Sequence, residues 1–311
     1  MADRGFHFLM VLCGLSIFAI VGLIATELVL RSELSWHQFG LGFFYRVFTD
    51  PDTHLKLYWD PVNSQFSALP FVYGTLVSSF LALLIAVPLA IGLAIFLTEM
   101  CPDVLRSPLA FLTELLAAIP SVIYGLWAVF VLVPLLREHV NPLLVRLLGW
   151  SGLFTDENPT GLGFVAAGVI LAIMILPIIS SLTREVMTAV PHSQREAVLA
   201  LGATRWEMIR MGVLRNARIG IVGAIILGLG RALGETMAVT FVIGNTNRIA
   251  TTIFGPGNTI ASIVALEFPE SQAGTLKLSS LLALGFILFV ISFIVLAISR
   301  MLLRPRLGEA K

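Results

Sequence analysis

Residues 219–244 read IGIVGAIILGLGRALGETMAVTFVIG, an apolar run long enough to cross a bilayer as one helix. Two charged residues interrupt the run near its middle, Arg231 and Glu235. Each charge at that depth costs on the order of 3 kcal/mol on insertion scales, so we expect both to have a function. Their separation by four positions places them on one face of a continuous helix, where the guanidinium and the carboxylate can form an ion pair.

Small residues surround these two charges. Gly228, Gly230 and Gly234 all lie within about one turn of Arg231. Because residues without large side chains let neighbouring helices approach closely, the glycines predict a helix-packing surface beside the charges. The run therefore predicts a polar, closely packed site inside a membrane.

The rest of the chain has the composition of a membrane protein. Of its 311 residues, 57% are hydrophobic and 13% are charged, and the mean hydropathy is +0.93. This balance is far from that of soluble domains, and a net charge of +1 gives no indication of nucleic-acid binding. At about 20 residues per crossing, six apolar runs are long enough to span, at about 8–30, 71–97, 108–136, 162–182, 219–244 and 278–303. They predict an all-α polytopic membrane protein with six transmembrane helices.

Prolines lie inside three of these runs, at Pro88, Pro120 and Pro177. Proline removes a backbone donor and clashes with the preceding turn, so the second, third and fourth helices are predicted to kink or break. Helix bundles around a pathway tolerate such interruptions because neighbouring groups satisfy the freed carbonyls.

The distribution of arginine and lysine predicts the orientation. Twelve lie in the shorter segments on the side of both termini, and seven lie in the longer segments opposite. The positive-inside rule therefore places both termini in the cytoplasm. We interpret residues 1–311 as a single transmembrane domain with core helices at about 69–303. The external segment at 31–68 is rich in aromatic residues, which predicts either an interfacial helix around 35–48 or packing on the bundle.

The cytoplasmic segment at about 189–215 has the features of two short helices joined at Gly202. Thr204, followed three residues later by Glu207, predicts a capping box at the start of the second helix. Five residues of this segment are candidates for docking into a groove of another protein: Glu196, Ala197, Leu199, Gly202 and Trp206. The alternative is an amphipathic loop whose arginines lie on lipid head groups, and the spacing alone leaves both open.

Glu196-Ala197 followed by Gly202, in the last large cytoplasmic loop before the final two helices, resembles the EAA loop of ABC importer permeases. A narrower resemblance comes from three stretches: GLGRALGETMAVTFVIGN at 228–245, LLAAIPSVIYGLW at 115–127 and LPFVYGTL at 69–76. In these stretches the chain is similar to the permeases of phosphate-specific ABC importers. The GETMAV form and the long first external segment resemble the C-type subunit, while the A-type paralogue shares the RALGET core.

The resemblance implies a type I ABC importer permease fold with cytoplasmic coupling helices, in the cytoplasmic (inner) membrane of a bacterium. It implies four partners: a second phosphate permease, two ATP-binding subunits and a periplasmic phosphate-binding protein. Membrane lipid is a further expected contact. ATP and Mg are expected in the ATP-binding subunits and no cofactor in this chain, because none of its three lysines has the Gly-Lys-Ser/Thr context of a P-loop.

For an anion pathway, Arg231 is the candidate cation, because a planar guanidinium stays charged and matches phosphate oxygens in pairs. Glu235 is expected to orient it or to neutralise it when the pathway is empty. Thr236, Thr240 and Asn245 are candidate donors, although each can instead bond back to its own helix. The alternative for Arg231 and Glu235 is a salt bridge that only supports helix packing.

Other functional classes fit less well. All five histidines lie at or outside the apolar ends, and neither HExxH nor GxSxG occurs, so no catalytic residue or metal ligand is predicted. A permease for another tetrahedral oxyanion is one alternative. An ion-gradient-driven secondary transporter is another, because charges at mid-membrane depth and broken helices are also typical of that class. We find no convincing internal repeat of the kind such transporters show.

Overall fold

The structure is a computed structural model that describes residues 2–49, 56–155, 158 and 160–302. Within these residues the α-helices are α1 (Ala2–Arg31), α2 (Glu33–Phe39), α3 (Leu69–Ile95), α4 (Asp103–Ala118), α5 (Ser121–Trp127), α6 (Val133–Leu135), α7 (Asn141–Leu148), α8 (Phe164–Thr188), α9 (His192–Ala200), α10 (Arg205–Glu207), α11 (Arg215–Gly234), α12 (Met237–Val242), α13 (Ile260–Glu267) and α14 (Leu276–Leu302). Short 3-10 helices occupy Gly40–Phe44 and Gly149–Ser151. π-Helical segments occupy Phe96–Met100, Ala128–Leu132, Leu136–Val140 and Met208–Leu214.

Six helical segments of the described chain are long and apolar enough to cross a membrane, which confirms the predicted number of spans. They are Gly5–Arg31, Leu69–Met100, Ser121–Ser151, Phe164–Thr188, Arg205–Gly234 and Leu276–Met301. Two small antiparallel hairpins were not predicted: β1 (Phe48–Thr49) pairs with β2 (Lys56–Leu57), and β3 (Trp59–Asp60) pairs with β4 (Gln65–Phe66). The basic residues Arg304, Arg306 and Lys311, which contributed to the predicted orientation, lie outside the described residues.

Of the three prolines predicted to kink or break their helices, Pro120 lies at a break. α4 ends at Ala118, and α5 begins directly after Pro120, whose backbone is extended (ψ 140°). By contrast, α3 and α8 continue through Pro88 and Pro177 without a break. The proline ring therefore ends a helix only where the residue before it, Ile119, also adopts the extended conformation that proline favours there (ψ 130°).

The chain divides into two compact units, of which the first comprises Met1–Leu69 and Ile263–Ile291. Aromatic residues of the external segment form its core: Phe39, Phe43, Trp59 and Phe66 are buried, and their rings are in contact. A helix is present in the predicted interfacial region as α2, and the burial of these rings shows that the segment also packs internally. Its backbone is tied to α14, where the Ser35 N–H donates to Ser279 Oγ at 3.1 Å.

The second unit comprises Pro70–Ser262 and Ser292–Lys311. Its core lies around α3, α8 and α11. α3 presents one fully buried face of small residues at a spacing of four, made of Ala82, Ala86, Ala90 and Ala94. Such a face permits close approach of the neighbouring helices. Residues of α8 belong to the same buried cluster, and most of the apolar residues of α8 are buried.

Candidate functional site

The fifth predicted span is not one continuous helix. α11 ends at Gly234, and Glu235 adopts an extended backbone (φ −68°, ψ 129°) before α12 begins at Met237. The expectation that Arg231 and Glu235 share one helix face was therefore wrong, and among the described residues they form no ion pair. The spacing rule for pairing presumes a continuous helix, and two features interrupt this one. Glycine at 230 and 234 weakens the last turn of α11, and α12 packs separately against α5.

Glu235 satisfies the backbone at this break. Its Oε1 accepts a hydrogen bond from the Ala238 N–H at 3.3 Å, within the first turn of α12. A carboxylate is favourable there because the first N–H groups of a helix lack partners. Glu235 therefore orients α12 in this structure instead of pairing with Arg231.

Arg231 lies in the last turn of α11 and is exposed. Its guanidinium makes no hydrogen bond and no ion pair with any residue that the structure describes. The positive charge lies close enough to act on the hydroxyl of Tyr124 in α5. That hydroxyl donates to the carbonyl of Leu116 at 2.7 Å and so links α5 to α4 across their break. Arg231 is thus a charged group with unused donors beside an interrupted helix.

The two interrupted helices lie side by side, because α5 packs against α12. Gly125 makes this contact possible: a Cβ there would lie 2.5 Å from Phe241 Cδ2 and 3.1 Å from the Ala238 Cα. Each of the packed helices directly follows a break, at Pro120 and at Glu235-Thr236 respectively. A helix break at membrane depth leaves backbone polar groups without their helical partners. Such groups are tolerated where they line a cavity or a pathway, which fits two breaks side by side.

The three candidate donors near Arg231 bond to their own backbone. Thr236 Oγ1 donates to the Gly234 carbonyl at 3.2 Å, Thr240 Oγ1 to the Thr236 carbonyl at 2.8 Å, and Asn245 Nδ2 to the Thr240 carbonyl at 2.8 Å. In this structure each of the three side chains therefore bonds back to its own backbone and does not present a free donor to the pathway. Arg231 is therefore the member of the predicted set whose donors remain free in this conformation.

The glycines of α11 face two different environments. Gly228 is buried against α8, where an added Cβ would lie 2.6 Å from Ile179 Cγ1. At Gly230 and Gly234, an added Cβ would meet no described atom within 4 Å. Gly228 thus packs within this chain, whereas Gly230 and Gly234 leave an open narrow surface beside Arg231.

The segment at about 189–215, called the coupling segment below, has the predicted form of two helices joined at a glycine. Gly202 has φ +83°, a left-handed conformation that favours glycine, and it follows α9. Thr204 and Glu207 form the predicted capping box: the Glu207 N–H donates to Thr204 Oγ1 at 3.3 Å, and the Thr204 N–H donates to Glu207 Oε2 at 2.8 Å.

The candidate docking residues of this segment are exposed. Glu196 and Ala197 are exposed on α9, and Leu199 and Trp206 are 42% and 60% exposed. Leu201, beside the turn, is 89% exposed. Within the described chain, Glu196 has no hydrogen bond or ion pair. The five candidate docking residues therefore combine exposed apolar side chains with one acidic group, Glu196.

Two ion pairs between distant parts of the chain were not predicted. Arg184 in α8 pairs with Glu114 in α4 at 2.6 Å and lines a cleft of about 580 Å³. Arg195 in α9 pairs with Glu99, at the end of the second span, at 3.1 Å. The partners are 70 and 96 residues apart along the chain, so no local spacing indicates either pair.

Comparison with known proteins agrees with this architecture. Residues 86–307 match the family described as "Binding-protein-dependent transport system inner membrane component". The chain is 46% identical to the phosphate transport system permease protein PstC of Mesorhizobium japonicum, over 97% of this chain and 90% of that protein. It is 45% identical to the protein of the same name from Haemophilus influenzae, over 94% of this chain and 90% of that protein.

Solved structures with the same fold are ABC importers. One is a bacterial ABC transporter involved in the import of the acidic polysaccharide alginate, with a TM-score of 0.52 at 18% identity over 77% of this chain and 79% of that one. Another is the inward-facing MetNI methionine ABC transporter, with a TM-score of 0.50 at 18% identity over 75% and 90% of the two chains. Such likeness establishes the type I importer permease fold.

The family and the fold define the general role. A permease of this family is a multi-pass protein of the inner membrane that works with a substrate-binding protein and ATP-binding subunits. The family match covers most of the chain, and the relatives are similar over nearly all of it. The chain belongs to the binding-protein-dependent transport system inner membrane components.

Proposed function

We propose that this chain is the transmembrane permease subunit of an ATP-driven importer that moves inorganic phosphate into the cytoplasm. The observation that carries the proposal is Arg231, an arginine with free donors beside two broken helices. Its place in a chain similar to proteins named phosphate transport system permeases supports phosphate as the anion. The same similarity favours the C-type over the A-type subunit.

Arg231 presents a charged fork to the passing anion. Guanidinium donors match phosphate oxygens in pairs, and the charge persists at any physiological pH. Since Glu235 is engaged with the start of α12, it does not neutralise Arg231 in this conformation. We propose that Glu235 holds the break open and that it meets the guanidinium when the pathway is empty in another state. Thr236, Thr240 and Asn245 shape the same break and supply donors once their local bonds open.

A single arginine gives one positive charge to an anion that carries up to two. We therefore propose a heterodimer with a related permease that supplies a second arginine. The open surface at Gly230 and Gly234 supports this, because a partner helix can approach closely beside Arg231.

Energy comes from two ATP-binding subunits, which bind ATP and Mg, while this chain binds no cofactor and catalyses no reaction. The exposed segment with Glu196, Ala197, Leu199, Gly202 and Trp206 docks into them by the helix-in-groove mode. This arrangement requires the segment and both termini to lie in the cytoplasm. A periplasmic phosphate-binding protein delivers the anion from the other side.

Uptake of labelled phosphate by proteoliposomes that contain the assembled complex tests the proposal. We expect uptake to require ATP inside and binding protein outside, and to be reduced by arsenate more than by sulfate or molybdate. Stronger competition by sulfate or molybdate would identify another oxyanion as the substrate. Uptake driven by an ion gradient without ATP would show a secondary transporter instead.

The matching variant test uses Arg231→Gln, which keeps a similar volume and removes the charge. We expect this variant to abolish uptake while the complex stays assembled. Arg231→Lys is also expected to be impaired, because a point charge loses the paired geometry. Arg137→Gln is the control, since Arg137 pairs at 3.2 Å with its sequence neighbour Glu138 and both side chains are about half exposed. Normal uptake by assembled Arg231→Gln would contradict the pathway role.

A further inference from the structure

Arg195 connects the coupling segment to the ends of two membrane spans. It lies on α9, and its side chain is only 11% exposed, unlike its neighbour Glu196. Its Nε and Nη2 donate to Glu99 Oε1 at 3.3 and 3.1 Å. Glu99 lies in the π-helical segment that ends the second span, and its side chain is 9% exposed. The pair is thus enclosed by protein at the junction of three elements.

The same guanidinium also binds the end of α8. Its Nη2 donates to the Met187 carbonyl at 2.9 Å, and its Nη1 donates to the Val190 carbonyl. A cation at the C-terminal end of a helix is favoured by the helix dipole, and here it adds to the hydrogen bond that the Met187 carbonyl accepts from the Val190 N–H at 3.2 Å. All three guanidinium nitrogens of Arg195 therefore donate hydrogen bonds. One planar group connects α9 both to the end of the second span and to the end of α8. A lysine cannot reproduce this set of bonds.

The surroundings make this contact stiff. A buried apolar cluster lies at the same junction and draws on the second span, α8, the π-helical segment after α10, and α11: Ala94, Met187, Val190, Met208, Ile209, Val213, Ala217 and Ile221. Packed cores of this kind shift between discrete arrangements and do not bend gradually. A displacement of α9 is consequently passed to the spans as a displacement of their ends.

We infer that Arg195 is a positioning residue for transport: its bonds to Glu99, Met187 and Val190 form the joint that passes movement of the docked ATP-binding subunit to the second and fourth spans. This inference rests on the proposed function. It separates two roles within one segment. The exposed Leu199 and Trp206 side of the segment holds the partner, and the buried Arg195 side moves the spans.

The test compares transport with ATP hydrolysis in proteoliposomes that contain the full complex. Arg195→Gln and Arg195→Lys remove part of the bond set from α9, and Glu99→Gln removes the charge from the second span while keeping its volume. For each we expect the ATP-binding subunit to co-purify at the normal ratio. Phosphate moved per ATP hydrolysed is expected to fall about tenfold, within the usual range of coupling between sites.

Arg137→Gln is the control, because Arg137 pairs with its sequence neighbour Glu138 at 3.2 Å and holds neither Glu99 nor the end of α8. It is expected to keep the normal ratio of transport to hydrolysis. An unchanged ratio in Arg195→Lys and Glu99→Gln would overturn the inference. Loss of the ATP-binding subunit from these variants would also overturn it, since the pair would then only shape the docking surface. If the unaltered complex fails to transport phosphate, the proposed function itself is wrong. This result is distinct from the two above, in which the unaltered complex transports phosphate and only the role of Arg195 is overturned.

Discussion

Replacing Gly202 by valine tests whether the turn of the coupling segment is needed for docking. Gly202 has φ +83°, and a Cβ at this position would meet no described atom within 4 Å. Collision of the added Cβ with the described residues is therefore excluded as a cause of any effect. What remains is the backbone conformation itself, which L-residues adopt at a cost of about 1–2 kcal/mol.

The size of the effect follows from that cost. The valine variant pays about 1–2 kcal/mol whenever the segment adopts the docking turn, and about 1.4 kcal/mol corresponds to a tenfold change in an equilibrium. We therefore expect the affinity for the ATP-binding subunit to fall about 5- to 30-fold. The measurement is a titration of purified ATP-binding subunit onto the solubilised permease pair, followed by ATP-dependent uptake.

Gly202→Asn is the matched control, since asparagine adds a side chain but tolerates the left-handed conformation. We expect its affinity to lie close to that of the unaltered protein. If both variants bind normally, the turn is not required for docking. If both lose affinity equally, the bulk of a side chain at the docking surface is responsible, and the reasoning from backbone conformation is refuted.

Three further predictions concern packing and capping. Gly228→Leu should separate α11 from α8, because an added Cβ lies 2.6 Å from Ile179 Cγ1; we expect about 1–3 kcal/mol of destabilisation, read as a lower unfolding temperature. At Gly234 an added Cβ meets no described atom within 4 Å, so for Gly234→Leu we expect normal unfolding but reduced assembly with the second permease in size-exclusion chromatography; normal assembly would argue against a partner at this surface. Thr204→Ala removes the capping box at a cost of about 1 kcal/mol, which should speed hydrogen exchange in α10, with Thr204→Ser as the control that keeps the cap.

Local features of the chain could be predicted from the sequence. The six spans follow from composition and length, because only helices of about 20 apolar residues satisfy their own backbone in lipid. The turn at Gly202 and the cap at Thr204 depend on residues within three positions of each other. Because the residues that form this turn and this cap are close together in the sequence, the sequence alone predicts the position of both.

Features that depend on the rest of the fold could not be predicted. The break after Gly234 arises because α12 packs on α5 at Gly125, a contact that helical spacing does not contain. The predicted pairing of Arg231 with Glu235 failed for this reason. For Arg195 the sequence indicates only a positive charge, because its partner Glu99 is 96 residues away and becomes its neighbour only in the folded chain.

The position of Arg231 in the last turn of α11 has a consequence for how firmly an anion is held. The C-terminal end of a helix carries partial negative charge from its unpaired carbonyls, equivalent to roughly half an elementary charge. An anion that approaches Arg231 therefore meets attraction from the guanidinium and repulsion from the helix end at the same place. In the function proposed above, this opposition shortens the residence of the anion at Arg231. The ion then departs readily from that point, and the capture of dilute anion is left to the binding protein.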